Sequence, residues 1–213
     1  MNFTKECLQL YAVTDRMWTG RQTLLQQVET ALKGGVTCVQ LREKNLDTEQ
    51  FLQEAIQLKA LCSRYNVPLL INDNIEIALK SNADGVHVGQ NDRNPAEVRQ
   101  ILGADKIIGV TAKTVEQALK AQEMGADYLG VGAVFATSTK TDTKQIDYAV
   151  FREICNTVKI PVVAIGGITK ENMSQLAGLG MDGFALVSAI FSADDIETEC
   201  RELLALSERI LSA

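Results

Sequence analysis

The chain has 213 residues and a formal charge of −6, from 21 Lys and Arg against 27 Asp and Glu with its single His neutral. That is the length of one domain, and 46% hydrophobic with 23% charged residues excludes a disordered or fibrous chain. The acidic balance excludes general electrostatic binding to nucleic acid or to an anionic membrane, and no apolar run approaches the roughly 18–20 residues of a membrane span.

Taken in order, the first apolar, β-branched segment covers 9–13. An amphipathic stretch follows, with Leu24, Leu25, Val28, Ala31 and Leu32 at helical spacing, and it stops at Lys33-Gly34-Gly35. A second strand at 38–41 leads to a second helix marked by Phe51, Leu52, Ala55, Ile56, Leu58 and Leu61. Further strands are expected at 68–71, 85–88, 106–110, 128–131, 161–165 and 183–187. The third helix, 76–81, has only two turns, and further helix stops fall at Glu123-Met124-Gly125 and Leu179-Gly180. A weak internal echo runs through Ala83-Asp84-Gly85-Val86, Ala126-Asp127-Tyr128-Leu129 and Met181-Asp182-Gly183-Phe184.

Strands that are apolar throughout, alternating with amphipathic helices, indicate a parallel sheet covered by helices. Eight such units favour a closed (β/α)8 TIM barrel as one domain over 1–213; seven or fewer would leave an open sheet. Cys7, Cys38, Cys62, Cys155 and Cys200 are odd in number, scattered and without a C-x-x-C pair, so they read as reduced thiols. Lys5 and Glu6 precede any apolar stretch, no cleavage pattern of a secretory signal follows, and the cytoplasm is the expected location.

In a parallel barrel the chemistry sits where the strands end. After the second strand come Gln40-Leu41-Arg42-Glu43-Lys44, an amide and two cations on alternate positions. The third and fourth strands end in Asn72-Asp73 and Gly89-Gln90-Asn91-Asp92. Two carboxylates at one level suit a hard cation such as Mg²⁺, and equally they suit N-caps of helices beginning near Ile75 and Pro95. Thr111 follows the fifth strand. Thr137-Ser138-Thr139-Lys140 follows the sixth and offers hydroxyls and a cation to a phosphate, although the composition is also that of a solvated loop. Gly166-Gly167 and Val187-Ser188 end the last two strands, where this architecture recurrently binds phosphate. His87, between Val86 and Val88, reads as a packed, hydrogen-bonded side chain supporting the site, and Tyr11 and Trp18 read as core or rim packing. Gly130-Val131-Gly132 lacks the third glycine of a dinucleotide fingerprint.

These segments resemble the thiamine-phosphate synthase family over nearly the whole chain. The match runs through Leu10-Tyr11-Ala12-Val13-Thr14-Asp15, the Gln40 to Lys44 string, Ile71-Asn72-Asp73, Gly85-Val86-His87-Val88-Gly89-Gln90 with Asp92, Thr137 to Lys140, Ala164-Ile165-Gly166-Gly167-Ile168 and Val187-Ser188-Ala189-Ile190. The resemblance implies a transferase that joins hydroxymethylpyrimidine pyrophosphate to a thiazole phosphate and releases pyrophosphate. It implies that Gln40, Leu41, Arg42, Glu43, Lys44, Asn72, Thr111 and Lys140 hold the pyrimidine pyrophosphate, with Mg²⁺ on Asp73 and Asp92. Thr137, Ser138 and Thr139 would meet the thiazole phosphate, with Gly166, Gly167, Val187 and Ser188 closing its site. Arg42, Lys44, Lys140 and Thr111 form the implied catalytic set. Asn74 stands where the family often has Arg, Thr111 where it often has Ser, and Ala133 and Ala136 where Pro is common. A thiazole tautomerase of the same fold and a non-catalytic thiamine-phosphate sensor are the rival readings; the cations and both carboxylates favour the synthase.

Overall fold

Alternation along each strand decides this architecture. In β1 (Leu10–Val13), Leu10 and Ala12 pack outward into the layer beneath the helices, whereas Tyr11 and Val13 point into a second, smaller cluster with Cys38, Leu70, Ile107, Tyr128, Val163 and Ala185. Both faces are buried, which is why the strands read as continuous apolar runs. The computed structural model describes residues 3–20, 22–137 and 145–212. Its strands β1, β2 (Cys38–Leu41), β3 (Leu69–Asn72), β4 (Gly85–Val88), β5 (Ile107–Ala112), β6 (Tyr128–Gly132), β7 (Val162–Ile165) and β8 (Gly183–Leu186) pair in parallel in chain order, and β8 closes on β1. The expected (β/α)8 barrel is therefore found.

Helices α1 (Leu24–Lys33), α2 (Thr48–Arg64), α3 (Ile75–Lys80), α4 (Pro95–Leu102), α5 (Val115–Glu123) and α6 (Tyr148–Thr157) follow the first six strands. Their starts are capped by the side chains of Thr23, Asp47, Asn74, Asn94, Thr114 and Asp147. The glycine stops hold where the backbone turns left-handed, with φ of 96° at Gly35 and 88° at Gly125. The alternation fails once. Between β7 and β8 a single 3-10 turn, Met173–Leu176, replaces a helix, and Gly178 and Gly180 both take positive φ in the connection that follows it. After β8 come a short α7 (Ser188–Phe191) and a long α8 (Ile196–Leu211), the latter packed on α1.

The internal echo has a structural cause at the entrance of the barrel, opposite the strand ends that carry the site. Asp84 gives its backbone N–H to Leu69 O and accepts Leu69 N–H on Oδ2, both at 2.8 Å. Asp127 clamps Ile108 in the same way at 2.8 and 2.7 Å, and Asp182 clamps Val162 at 2.7 and 3.0 Å. Thr37 repeats the device on Leu10, with its hydroxyl as acceptor at 2.9 Å. Each clamp ties the residue preceding an even-numbered strand to the strand before it. A 3-10 turn, Lys5–Leu8, brings Leu8 beneath the barrel, and Phe3 lies 5.8 Å from the Tyr128 ring.

Candidate active site

The inward series that is apolar at the entrance becomes polar toward the strand ends. Gln40, Asn72, His87 and Thr111 line a partly open cavity of about 160 Å³ together with Arg42, Lys113, Gly166, Gly167, Val187 and Ser188. Gln40 is 3% exposed and donates through Nε2 to the Tyr11 hydroxyl at 2.6 Å. His87 lies between the Tyr128 hydroxyl, 2.8 Å from Nδ1, and Thr111 Oγ1, 2.9 Å from Nε2. Gln90 steadies Thr111 from the next loop by donating to its carbonyl at 2.6 Å. Burial holds the Tyr11 and Tyr128 phenols well above their ordinary pKa, so both remain protonated.

Arg42 is aimed by the end of β1: its N–H donates to Thr14 Oγ1 at 3.0 Å and its guanidinium meets Asp15 Oδ2 at 3.2 Å. On the glycine side, the carbonyls of Ile165, Gly166 and Gly167 accept from Val134 N–H, Phe135 N–H and Asn172 Nδ2, which pins the loop after β6 against the loop after β7. A Cβ at Gly166 would lie 2.5 Å from Ala133 Cβ, so this approach requires glycine.

Asn72 also borders a wider cleft of about 650 Å³ that holds Lys44, Asp73, Asp92 and Arg93. Lys44 Nζ reaches Asp73 Oδ2 at 2.8 Å, and Asp92 Oδ2 accepts Gly89 N–H at 2.7 Å. Asp73 takes a left-handed backbone, φ 60°, with its N–H on His87 O at 2.9 Å. Burial first, then the neighbouring Asp73 charge, raises the Asp92 carboxyl above the ordinary carboxylate value. Neither aspartate caps a helix: Asn74 and Asn94 do, accepting from Ile77 and Glu97 N–H. This answers one of the two readings of the pair, since both carboxylates are left for the cleft. Among the described residues no group of three or more His, Cys, Asp or Glu gathers as a full metal cage. Two neighbouring carboxylates beside Lys44 and Arg93 fit Mg²⁺, which takes few protein oxygens and completes its shell from water and phosphate.

Two residues of the expected binding string have side chains engaged by the protein itself. Leu41 is fully buried in the outer layer among helix residues, because it occupies an outward position of β2. Glu43 borders the cleft, but its Oε2 takes Arg16 Nε at 2.8 Å and its side chain is 3% exposed. Thr137 lines the cavity, whereas Ser138, Thr139 and Lys140 lie outside the described residues. Sequence reasoning passed over Lys113 and Arg93. Lys113 follows Thr111 by two positions, the spacing that keeps a side chain on the inner face, and Arg93 follows Asp92 directly. It also read Tyr11 as packing alone, whereas the phenol carries hydrogen bonds to Gln40 and Tyr128.

Residues 10–190 match the family described as thiamine monophosphate synthase. The chain belongs to this family. It is 53% identical over 195 residues to the thiamine-phosphate synthase of Ruminiclostridium cellulolyticum, covering 92% of this chain and 93% of that one. Against the thiamine-phosphate synthase 2 of Streptococcus pneumoniae serotype 4 the identity is 47% over 208 residues, covering 98% and 99%. Thiamine phosphate pyrophosphorylase from Pyrococcus furiosus superposes with a TM-score of 0.90 at 37% identity, covering 97% of this chain and 98% of that structure. A 3-hexulose-6-phosphate synthase, with TM-score 0.67 and 16% identity, shares the fold alone. The expected family is thus found, and the chain is an enzyme of the thiamine-phosphate synthase type on a (β/α)8 barrel.

Proposed function

We propose that this thiamine monophosphate synthase family member joins hydroxymethylpyrimidine pyrophosphate to a thiazole phosphate in the barrel mouth, with Mg²⁺ held by Asp73 and Asp92. The observation that carries this reading is the pairing of a narrow cavity lined by Gln40, Asn72 and Thr111 with a wider cleft holding Lys44, Asp73, Asp92 and Arg93. A flat heteroaromatic ring suits the first and its pyrophosphate the second, with Asn72 at the boundary.

The reaction breaks the carbon–oxygen bond between the pyrimidine methylene and pyrophosphate and forms a carbon–nitrogen bond to the thiazole. Negative charge builds on the leaving oxygen, and Arg42, Lys44 and Lys140 meet it. Mg²⁺, when bound, adds Lewis-acid stabilisation of the same charge. Arg93 lines the cleft from the loop after β4 and supplies a cation near Asn74, where the family often carries Arg. An electron-rich aminopyrimidine carries the positive charge left on the methylene, so a dissociative path needs no strong protein base. The thiazole phosphate goes to the side of the cavity lined by Thr137, Gly166, Gly167, Val187 and Ser188, with Ser138 and Thr139 assigned to it by the family resemblance.

Among the described residues no helix is long and apolar enough to cross a membrane, and the five cysteines are unpaired. Unpaired thiols support action in the reducing cytoplasm.

The test is pyrophosphate release by the purified protein. Release that requires both substrates and Mg²⁺ is expected. Isomerisation of a thiazole phosphate without pyrophosphate release would favour the tautomerase, and binding without turnover the sensor.

A further inference from the structure

A chain of hydrogen bonds crosses the barrel beneath the cavity and joins two of the residues assigned above to the pyrimidine. It runs from Gln40 Nε2 to the Tyr11 hydroxyl at 2.6 Å, to the Tyr128 hydroxyl at 2.8 Å, to His87 Nδ1 at 2.8 Å, and from His87 Nε2 to Thr111 Oγ1 at 2.9 Å. Its three inner members are 1%, 0% and 8% exposed for Tyr11, Tyr128 and His87. Space for it is made in the backbone. A Cβ at Gly130 would lie 2.9 Å from His87 Cε1, and a Cβ at Gly109 would collide with the Tyr128 phenol.

The chain has a direction. Each phenol carries one proton. The Gln40 amide nitrogen donates to the Tyr11 oxygen, so the Tyr11 proton turns to Tyr128 and the Tyr128 proton turns to His87 Nδ1. An imidazole that accepts on Nδ1 carries its proton on Nε2, and this proton goes to Thr111 Oγ1. The Thr111 hydroxyl proton is then left over to donate to a group in the cavity. At the other end the Gln40 amide, with its nitrogen committed to Tyr11, presents its oxygen.

We propose that Tyr11, Tyr128 and His87 are positioning residues that fix the mouth as an acceptor at Gln40 and a donor at Thr111, selecting a 4-aminopyrimidine over its 4-oxo counterpart. The amino compound offers N–H to the amide oxygen and a ring nitrogen to the hydroxyl. In the oxo lactam the donor and the acceptor are exchanged: the carbonyl meets the Gln40 amide oxygen, acceptor against acceptor, and the Thr111 proton loses the ring nitrogen that would take it. Buried polar groups left unpaired make such discrimination large. This inference rests on the reading of Gln40 and Thr111 as pyrimidine contacts.

The single histidine makes ¹⁵N-labelled imidazole a one-site reporter. At pH 8 the free protein is expected to show a protonated Nε2 and a bare Nδ1; a proton on Nδ1, neutral or cationic, would overturn the proposal. In Tyr11→Phe and Tyr128→Phe the ring stays and the link is cut. The preference for amino- over oxopyrimidine pyrophosphate is then expected to fall at least about tenfold, through KM for the pyrimidine substrate, with KM for the thiazole phosphate held within about twofold. Undiminished preference in folded variants would overturn it. If the unaltered protein turns over no aminopyrimidine pyrophosphate, the functional reading fails, while the imidazole tautomer still decides the direction of the relay.

Discussion

Asp92 shows how one side chain is tuned by what it faces. Its carboxyl is raised by burial and then by Asp73, so the folded protein keeps that proton to a higher pH than the unfolded chain. Stability of the metal-free protein therefore falls as pH rises from about 4, the ordinary carboxylate value, through the raised one. Asp92→Asn removes this loss and leaves an oxygen for Gly89 N–H. Without Mg²⁺ and near pH 7, thermal melts are expected to place the variant about 1–3 °C above the unaltered protein, a small gain because solvent screens the pair. Adding Mg²⁺ should raise the unaltered protein and leave the variant where it was; a metal-free variant that melts lower would refute like-charge repulsion. Lys140 belongs to the same scale. Lys140→Ala is expected to lower kcat by about 10²–10³, the cost of one charge contact made in the transition state. Steady-state turnover within a few fold of normal would remove Lys140 from the mechanism.

At the level of elements, the clamps separate stability from catalysis. Asp84→Ala leaves Leu69 N–H without its carboxylate and strands Lys59, which lies 2.8 Å from both Asp84 oxygens. Urea unfolding is expected to show a loss of about 1–3 kcal/mol with kcat unchanged, since the clamp is at the opposite end from the cavity. A change in kcat without a change in stability would contradict that division. The echo around Asp84, Asp127 and Asp182 was visible in the sequence, but its purpose was not, because the partner in each clamp is the first or second residue of a strand some 15 to 20 positions away. Helix starts were similarly half legible. Asp73 and Asn74 are both good capping residues, and only backbone geometry assigns the cap to Asn74.

For the whole molecule, eight strands were readable because a closed parallel barrel buries both strand faces and produces apolar runs. The same property hid the phase. In Tyr128-Leu129-Gly130-Val131 no polar residue marks which side chains face inward, so the link from Tyr128 to His87 had no local signal. The 3-10 turn after β7 was hidden for the opposite reason, since one connection among eight departs from the repeat. Closure also makes α8 structural: Leu203, Cys200 and Ile210 pack into the outer layer, and Ser207 Oγ donates to Gln9 O at 2.7 Å across 198 positions. Leu203→Ala is expected to cost about 2–5 kcal/mol in equilibrium unfolding; a loss below 1 kcal/mol would show that α8 is dispensable to the barrel.

Four clamps on an eight-stranded ring also set a rhythm for solvent. The Leu69, Ile108 and Val162 amide protons are held by carboxylates, so rotation of one side chain releases each without parting any strand. Deuterium uptake should therefore find these three sites early, with Leu10 on the Thr37 hydroxyl as a fourth, at the start of every second strand and embedded in a ladder whose other protons wait for the ring to open.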